Sequence, residues 1–322
     1  MTKGGTAMRA VLYKPVQARL FIMCLLCFFL LPVLAGCGDS AKEGANAIEG
    51  EHRTTQTDFP VPSADGDVTK EEKNVKIDAS HTDEGYIMIS YSGDADAARV
   101  QITDPSDTVY SYALTVGDMA TFPLSGGSGS YKIDVLEHAY DDMYALACSW
   151  TTDVRISDEF KPFLYPNLYC WYTKDSKAVQ YGIQLSDESS NDLDYVEKVY
   201  NYVTTSIIYD TKLAENVPAD YIPGIDQTIE KGTGNCFVYA SLMTAMLRSQ
   251  GIPTKLEVGY SGQAYHAWIS VYLTETGWVD NIISFDGKSW SLMDPTLAAS
   301  NSASSVKKYV GDGSNYTVKY NY

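Results

Sequence analysis

Gly232-Thr-Gly-Asn-Cys236-Phe-Val-Tyr-Ala-Ser-Leu-Met-Thr-Ala-Met-Leu-Arg248-Ser-Gln-Gly251-Ile-Pro253 is the stretch on which the fold turns. Two glycines make a turn with wide backbone freedom. Residues 237–250 are good helix formers. Gly251 suits a C-terminal cap, and Pro253 forbids continuation. Ser241, Thr244 and Arg248 fall three and four apart as a narrow polar stripe, and the other faces are apolar. This pattern predicts a central, largely buried helix. Cys236 then stands at the helix N-terminus, where free N–H groups and the helix dipole favour an anion and activate thiols.

A thiolate nucleophile needs a base and a group to orient that base. The chain has four histidines. His52 falls in a polar stretch, His81 before the first expected strand, and His138 in a Glu-His-Ala-Tyr turn, so all three are expected to be exposed and idle. His266 lies in Tyr265-His-Ala-Trp-Ile-Ser-Val-Tyr-Leu273, which reads as a strand. Lys255–Tyr260 precedes it across Ser261-Gly262-Gln263, and Trp278-Val279 follows. After an Asp286-Gly287 turn comes Ser289-Trp-Ser-Leu-Met-Asp294-Pro295. An antiparallel sheet packed on the Cys helix would set His266 and Asp294 on neighbouring strands. Asp280 is the rival third residue.

These blocks resemble the transglutaminase-like core of the papain-like cysteine enzymes. The resemblance runs through Gly-x-Cys-x-x-Tyr-Ala at 234–240, Leu-Arg-x-x-Gly-Ile-Pro at 247–253, Gly-Tyr at 259–260, His-Ala-Trp at 266–268 and Trp-x-x-x-Asp-Pro-Thr at 290–296. It implies Cys236 as nucleophile, His266 as general base and acid, and Asp294 as orienter of the imidazole. It also implies the Cys236 N–H as one oxyanion donor and Tyr221 as candidate for the second. The chain departs from the pattern at Asn235, where relatives often carry Ile, and at Val238, where they often carry an acidic residue.

The N-terminus reads as an export signal. Arg9, Lys14 and Arg19 precede the apolar run Leu20–Leu34, and small residues follow. Leu34-Ala-Gly-Cys37 resembles the bacterial lipobox, which implies cleavage after residue 36 and lipidation of Cys37. Cys24 and Cys27 lie inside the signal and are no redox pair. The whole mature chain is also similar to bacterial lipoproteins that carry a β domain before such a core.

The 322 residues include 24 basic and 41 acidic ones, a net charge of −17. Removing residues 1–36 leaves 20 basic residues and a net of −21. No Lys/Arg-rich run appears, so no nucleic-acid partner is expected. No metal-ligand cluster with sensible spacing is present, and no cofactor or metal is expected for catalysis.

Between these ends, residues 37–73 read as a flexible polar linker. Residues 74–152 hold short strands separated by turn residues, which suggests an immunoglobulin-like β-sandwich. The Gly-rich 125–130 has no helix after it and reads as a plain turn. Residues 153–185 read as a connector. A helix follows Ser189-Ser190-Asn191-Asp192, and 186–322 form the catalytic domain with C-terminal strands. The expected architecture is α+β. Cys148 and Cys170 read as buried hydrophobes or as a disulfide pair.

The expected function is a lipid-anchored enzyme on the outer face of a bacterial membrane. It would act on a protein or peptide substrate near the cell wall, through a thioester, by hydrolysis or by amine transfer. The alternative is a catalytically silent binding or scaffolding lipoprotein.

Overall fold

The computed structural model describes residues 53–280, 284–285, 290–291 and 316–322. Cys37, His52 and Asp294 lie outside the described residues, as does the signal segment.

Eight strands come first: β1 (Thr69–Glu72), β2 (Val75–Asp78), β3 (Tyr86–Tyr91), β4 (Ala98–Thr103), β5 (Val109–Leu114), β6 (Ala120–Pro123), β7 (Gly129–Tyr140) and β8 (Met143–Val154). They form two four-stranded antiparallel sheets, in the orders β1-β2-β3-β6 and β5-β4-β7-β8. Alternation drives them: Val100 and Ile102 of β4, and Tyr131, Ile133 and Val135 of β7, all point into the core. The sheets face each other where the Tyr112 and Phe122 rings meet edge to face at 4.9 Å. The Tyr91 hydroxyl also donates to Glu137 at 2.7 Å.

Helices and a third sheet follow: α1 (Lys177–Asp187), α2 (Asp192–Ser206), β9 (Ile208–Tyr209), α3 (Thr211–Glu215), α4 (Ile225–Lys231), β10 (Thr233–Gly234) and α5 (Cys236–Arg248). Then come β11 (Thr254–Ser261), β12 (Ala264–Leu273), β13 (Gly277–Val279), the short pair β14 (Ser284–Phe285) and β15 (Trp290–Ser291), and β16 (Tyr316–Asn321). The sheet order is β13-β12-β11-β16. Leu256, Val258, Ala267, Ile269 and Val271 alternate along β11 and β12 and are buried. They form the apolar surface of a sheet that packs on α5.

The expected helices and the strands around 86–91, 131–136, 144–151 and 254–273 are present. α1 was not anticipated, because residues 153–185 were expected as a connector, and neither were β1, β2, β6, α3 and α4. Each of these last five is short, and β6 ends on a proline, so periodicity has little to work on. The polar stripe of α5 is not a solvent face, because Ser241, Thr244 and Arg248 are all fully buried. Cys148 and Cys170 are buried free thiols, not a disulfide pair.

The expected linker is not free chain: Thr69–Glu72 is β1, paired with β2, and residues 53–59 lie against the helical region and the connector. The Arg53 guanidinium pairs with Asp192 at 2.7 Å and stacks over Tyr195 at 4.7 Å. Gln56 and Gln250 exchange two hydrogen bonds, each of 2.9 Å. Phe59 packs on Tyr172 with centroids 5.2 Å apart. Low hydrophobicity did not leave these residues unattached, because side-chain hydrogen bonds with specific partners hold them.

Candidate active site

Cys236 opens α5, and the chain before it is tightly held. β10 pairs in parallel with β9, through Ile208 N–H to the Gly232 carbonyl and Asp210 N–H to the Gly234 carbonyl, both at 2.8 Å. Gly232 has φ of +63°, a conformation that favours glycine. A Cβ at Gly234 would lie 2.6 Å from the Val238 side chain, so only glycine fits there.

The two departures from the family pattern acquire structural roles. Asn235 is the N-cap of α5, and its side-chain oxygen accepts from the Val238 N–H at 3.1 Å. Val238 is buried under the Gly234 turn. The capping bond satisfies one of the donors that a helix N-terminus leaves free, and the Cys236 N–H remains a first-turn donor. Asn235→Ala is expected to cost about 1 kcal/mol. Thermal unfolding should read this as a fall of about 2–4 °C in Tm.

His266 lies on β12 opposite Gly259 of β11. A Cβ on Gly259 would meet the Thr317 carbonyl at 2.0 Å, so this glycine lets β16 approach. In the His-Ala-Trp block, Ala267 and Trp268 are buried, and Trp268 packs on Tyr316 at 4.9 Å. Trp268 thus anchors the strand that carries His266.

Cys236, His266 and Tyr221 line one cleft of about 690 Å³. Burial pushes the Tyr221 phenol up, with Asp210 adding to the shift, so its hydroxyl is a neutral donor near neutral pH. Asp280 is not with them. It follows β13, whose Val279 pairs with Val271, five residues along β12 from His266. The same register sets Asp280 level with Ser270, four residues from His266, about 13 Å along the strand at about 3.3 Å per residue. Asp280 acts instead on the buried Glu257 carboxyl. Burial raises that group, the Ser270 hydroxyl opposes the shift at 2.8 Å, and Asp280 adds to it. His138 lies in β7 and not in a turn, because β7 runs on to Tyr140, and His81 lies between β2 and β3. His138 bonds Asp96 and the Asp141 carbonyl, each at 2.7 Å, and His81 bonds Asp65 at 3.0 Å.

Much of the cleft wall was not legible in the sequence. Tyr169 comes from the expected connector, Tyr209 from β9, Tyr320 from β16, and Ser111 from β5 of the N-terminal sheets. No local motif marks these residues, because only the tertiary fold brings them together. The N-terminal sheets also reach the loop that carries Tyr221, through Arg99 to Asp220 at 2.8 Å.

Comparison with known proteins gives the following. A model of the transglutaminase-like superfamily matches residues 180–295, just over a third of the chain. Protein YebA of Bacillus subtilis (strain 168) is 29% identical over 118 residues, which cover 30% of this chain and 16% of that protein. The chain thus spans about a sixth of the length of this relative. A candidate cysteine protease from Cytophaga hutchinsonii is 14% identical at a TM-score of 0.34, covering 71% of this chain and 78% of that one. Red sea bream transglutaminase is 12% identical at a TM-score of 0.28, covering 66% and 48%.

Proposed function

We propose, from the premise that residues 180–295 are a transglutaminase-like core, that this protein is a thiol acyl-transfer enzyme. The observation that carries the proposal is the meeting of Cys236 and His266 in one cleft, with Cys236 at a helix N-terminus. The Cys236 thiol gives its proton to His266, its sulfur attacks a carboxamide or peptide carbonyl, and a C–S bond forms. The oxyanion is met by the Cys236 N–H and the Tyr221 hydroxyl. His266 gives its proton to the leaving amine as the C–N bond breaks, which leaves a thioester. Water or a second amine then gives a proton to His266 and attacks the thioester. The C–S bond breaks, and the product is an acid or a new amide. Asp294 is the proposed orienter of the imidazole.

We place the enzyme on the outer face of a bacterial membrane, anchored through lipid on Cys37. The order β2-β3-β6 beside β5-β4-β7-β8 supports reading the N-terminal sheets as an immunoglobulin-like domain. The silent-scaffold alternative drew on Asn235 and Val238. Both now have structural reasons to be what they are, and both are compatible with a working thiol.

The test is labelling of Cys236 by iodoacetamide, located by mass spectrometry. Cys148 and Cys170 are at most 1% exposed, so they should remain unlabelled in the folded protein. His266→Ala is expected to slow Cys236 labelling at least about tenfold near neutral pH, because the imidazole no longer assists the thiol. Equal rates in the two proteins would overturn the assignment.

A further inference from the structure

The wall of the Cys236 cleft has an unusual composition. Seven of its residues are aromatic, and none of the described residues lining it is Asp, Glu, Lys or Arg. Charged residues make up 20% of the chain. Two carboxylates next to cleft residues in the chain are already engaged. Asp210 caps α3 by accepting from the Leu213 N–H at 3.0 Å, and Asp220 is held by Arg99. A charged substrate group entering this cleft loses water and finds no counter-ion among the described residues, which is costly. An apolar group entering it loses nothing and buries area against rings.

Position adds to composition. Phe237 follows the nucleophile, and Tyr265 precedes the base. Tyr265 is 60% exposed at the cleft mouth, where an incoming substrate can cover it. Phe237 packs edge to face on Tyr169 at 5.1 Å, so this part of the wall is rigid. The volume of about 690 Å³ suits several residues of peptide. A glycan fits the wall less well. Sugar recognition draws on carboxylates, and none of the described residues lining the cleft is Asp or Glu, so the glycan is kept as an outcome of the test.

We propose that the substrate of this cleft is a peptide segment presenting uncharged, apolar or aromatic side chains beside the carbonyl that Cys236 attacks. The inference rests on the thiol acyl-transfer reading of the same site. It disfavours segments whose acidic or basic flanking side chains would lie against this aromatic wall, whatever the net charge of the whole substrate. It also makes Phe237 and Tyr265 specificity-determining residues.

The experiment uses N-acetyl-Ala-Xaa-Ala chloromethyl ketones with Xaa as Phe, Leu, Glu or Lys, and reads the rate of Cys236 labelling. Iodoacetamide serves as the small control, and N-bromoacetyl-glucosamine as the glycan probe. The Phe and Leu probes are expected to label at least about tenfold faster than the Glu and Lys probes, since an unpaired charge resists transfer into an apolar site. Val217, which is 44% exposed on the cleft wall, allows a gain-of-function arm. Val217→Lys should raise the Glu-probe rate and leave the Lys-probe rate low. Equal rates for all four peptides, with iodoacetamide labelling still dependent on His266, would overturn the substrate inference and leave the enzyme reading standing. Fastest labelling by the glucosamine probe would overturn it in favour of a glycan. Iodoacetamide labelling indifferent to His266 would remove the enzyme reading and this inference with it.

Discussion

Cys236→Ala is expected to abolish acyl transfer without unfolding the protein. Removal of a catalytic nucleophile costs roughly four to six orders of magnitude in kcat. The side chain is half-buried at the first position of α5, so its loss leaves only a small gap at the cleft surface. The helix keeps its Asn235 cap and its buried face from Val238 to Arg248. The midpoint of thermal unfolding should therefore move by no more than about 2 °C, in line with the small cost of a change that opens no buried cavity. Two readouts check this. Intact-mass spectrometry after mixing with a library of apolar peptides should show an acyl adduct on the native enzyme and none on the variant. New amino termini or exchanged amides should appear only with the native enzyme. Full activity in the variant would sink the assignment of Cys236.

The largest effect on stability is expected from Arg248→Ala. The Arg248 side chain is completely buried at the C-terminal end of α5. Its Nε and one terminal nitrogen donate to the Thr254 carbonyl at 2.9 and 2.7 Å. The other contacts are the Tyr165 carbonyl at 2.7 Å, the Tyr322 carbonyl at 2.6 Å and the Cys170 sulfur at 3.3 Å. One planar guanidinium thus ties the connector, the start of β11 and the residue after β16 to the helix that carries Cys236. Truncation leaves three buried carbonyls without this donor and opens a cavity, each a recognised source of large destabilisation. The expected loss is about 3–5 kcal/mol. At about 2–4 °C per kcal/mol this lowers Tm by about 6–20 °C. Arg248→Lys should recover less than half of the loss, because an ammonium cannot reproduce the fork that spans these acceptors. Calorimetry of the two variants beside the native protein decides the point. A loss below about 1 kcal/mol in the alanine variant would show that the carbonyls find other partners.

Arg248 also shows where reading the sequence stops. Its spacing from Ser241 and Thr244 marks a polar stripe, and a polar stripe on a helix ordinarily faces water. Here the whole stripe is buried, and Arg248 at its end meets backbone carbonyls, two of them from segments far away in the chain. Periodicity records which residues share a face but not what the face meets. The same limit applies to Asn235 and Val238. In the sequence they are only departures from a pattern. In three dimensions one caps the helix and the other packs on Gly234. Asp280, the rival to Asp294, is set apart by the register of β13 on β12, which no spacing in sequence could supply.

The sequence by itself determined the chemical grammar of this protein: the turn before Cys236, the helix after it, the strand of His266 and the order of the blocks between them. Such features are local, since a glycine turn, a cap or an alternating strand depends on neighbours within a few residues. Only the tertiary structure decided which walls enclose the thiol. Ser111, Tyr169 and Tyr320 come from three separate parts of the chain, and each carries no local signal of its role. Packing brought them together, because burying rings and strands against a common core is a property of the whole fold and not of any one segment.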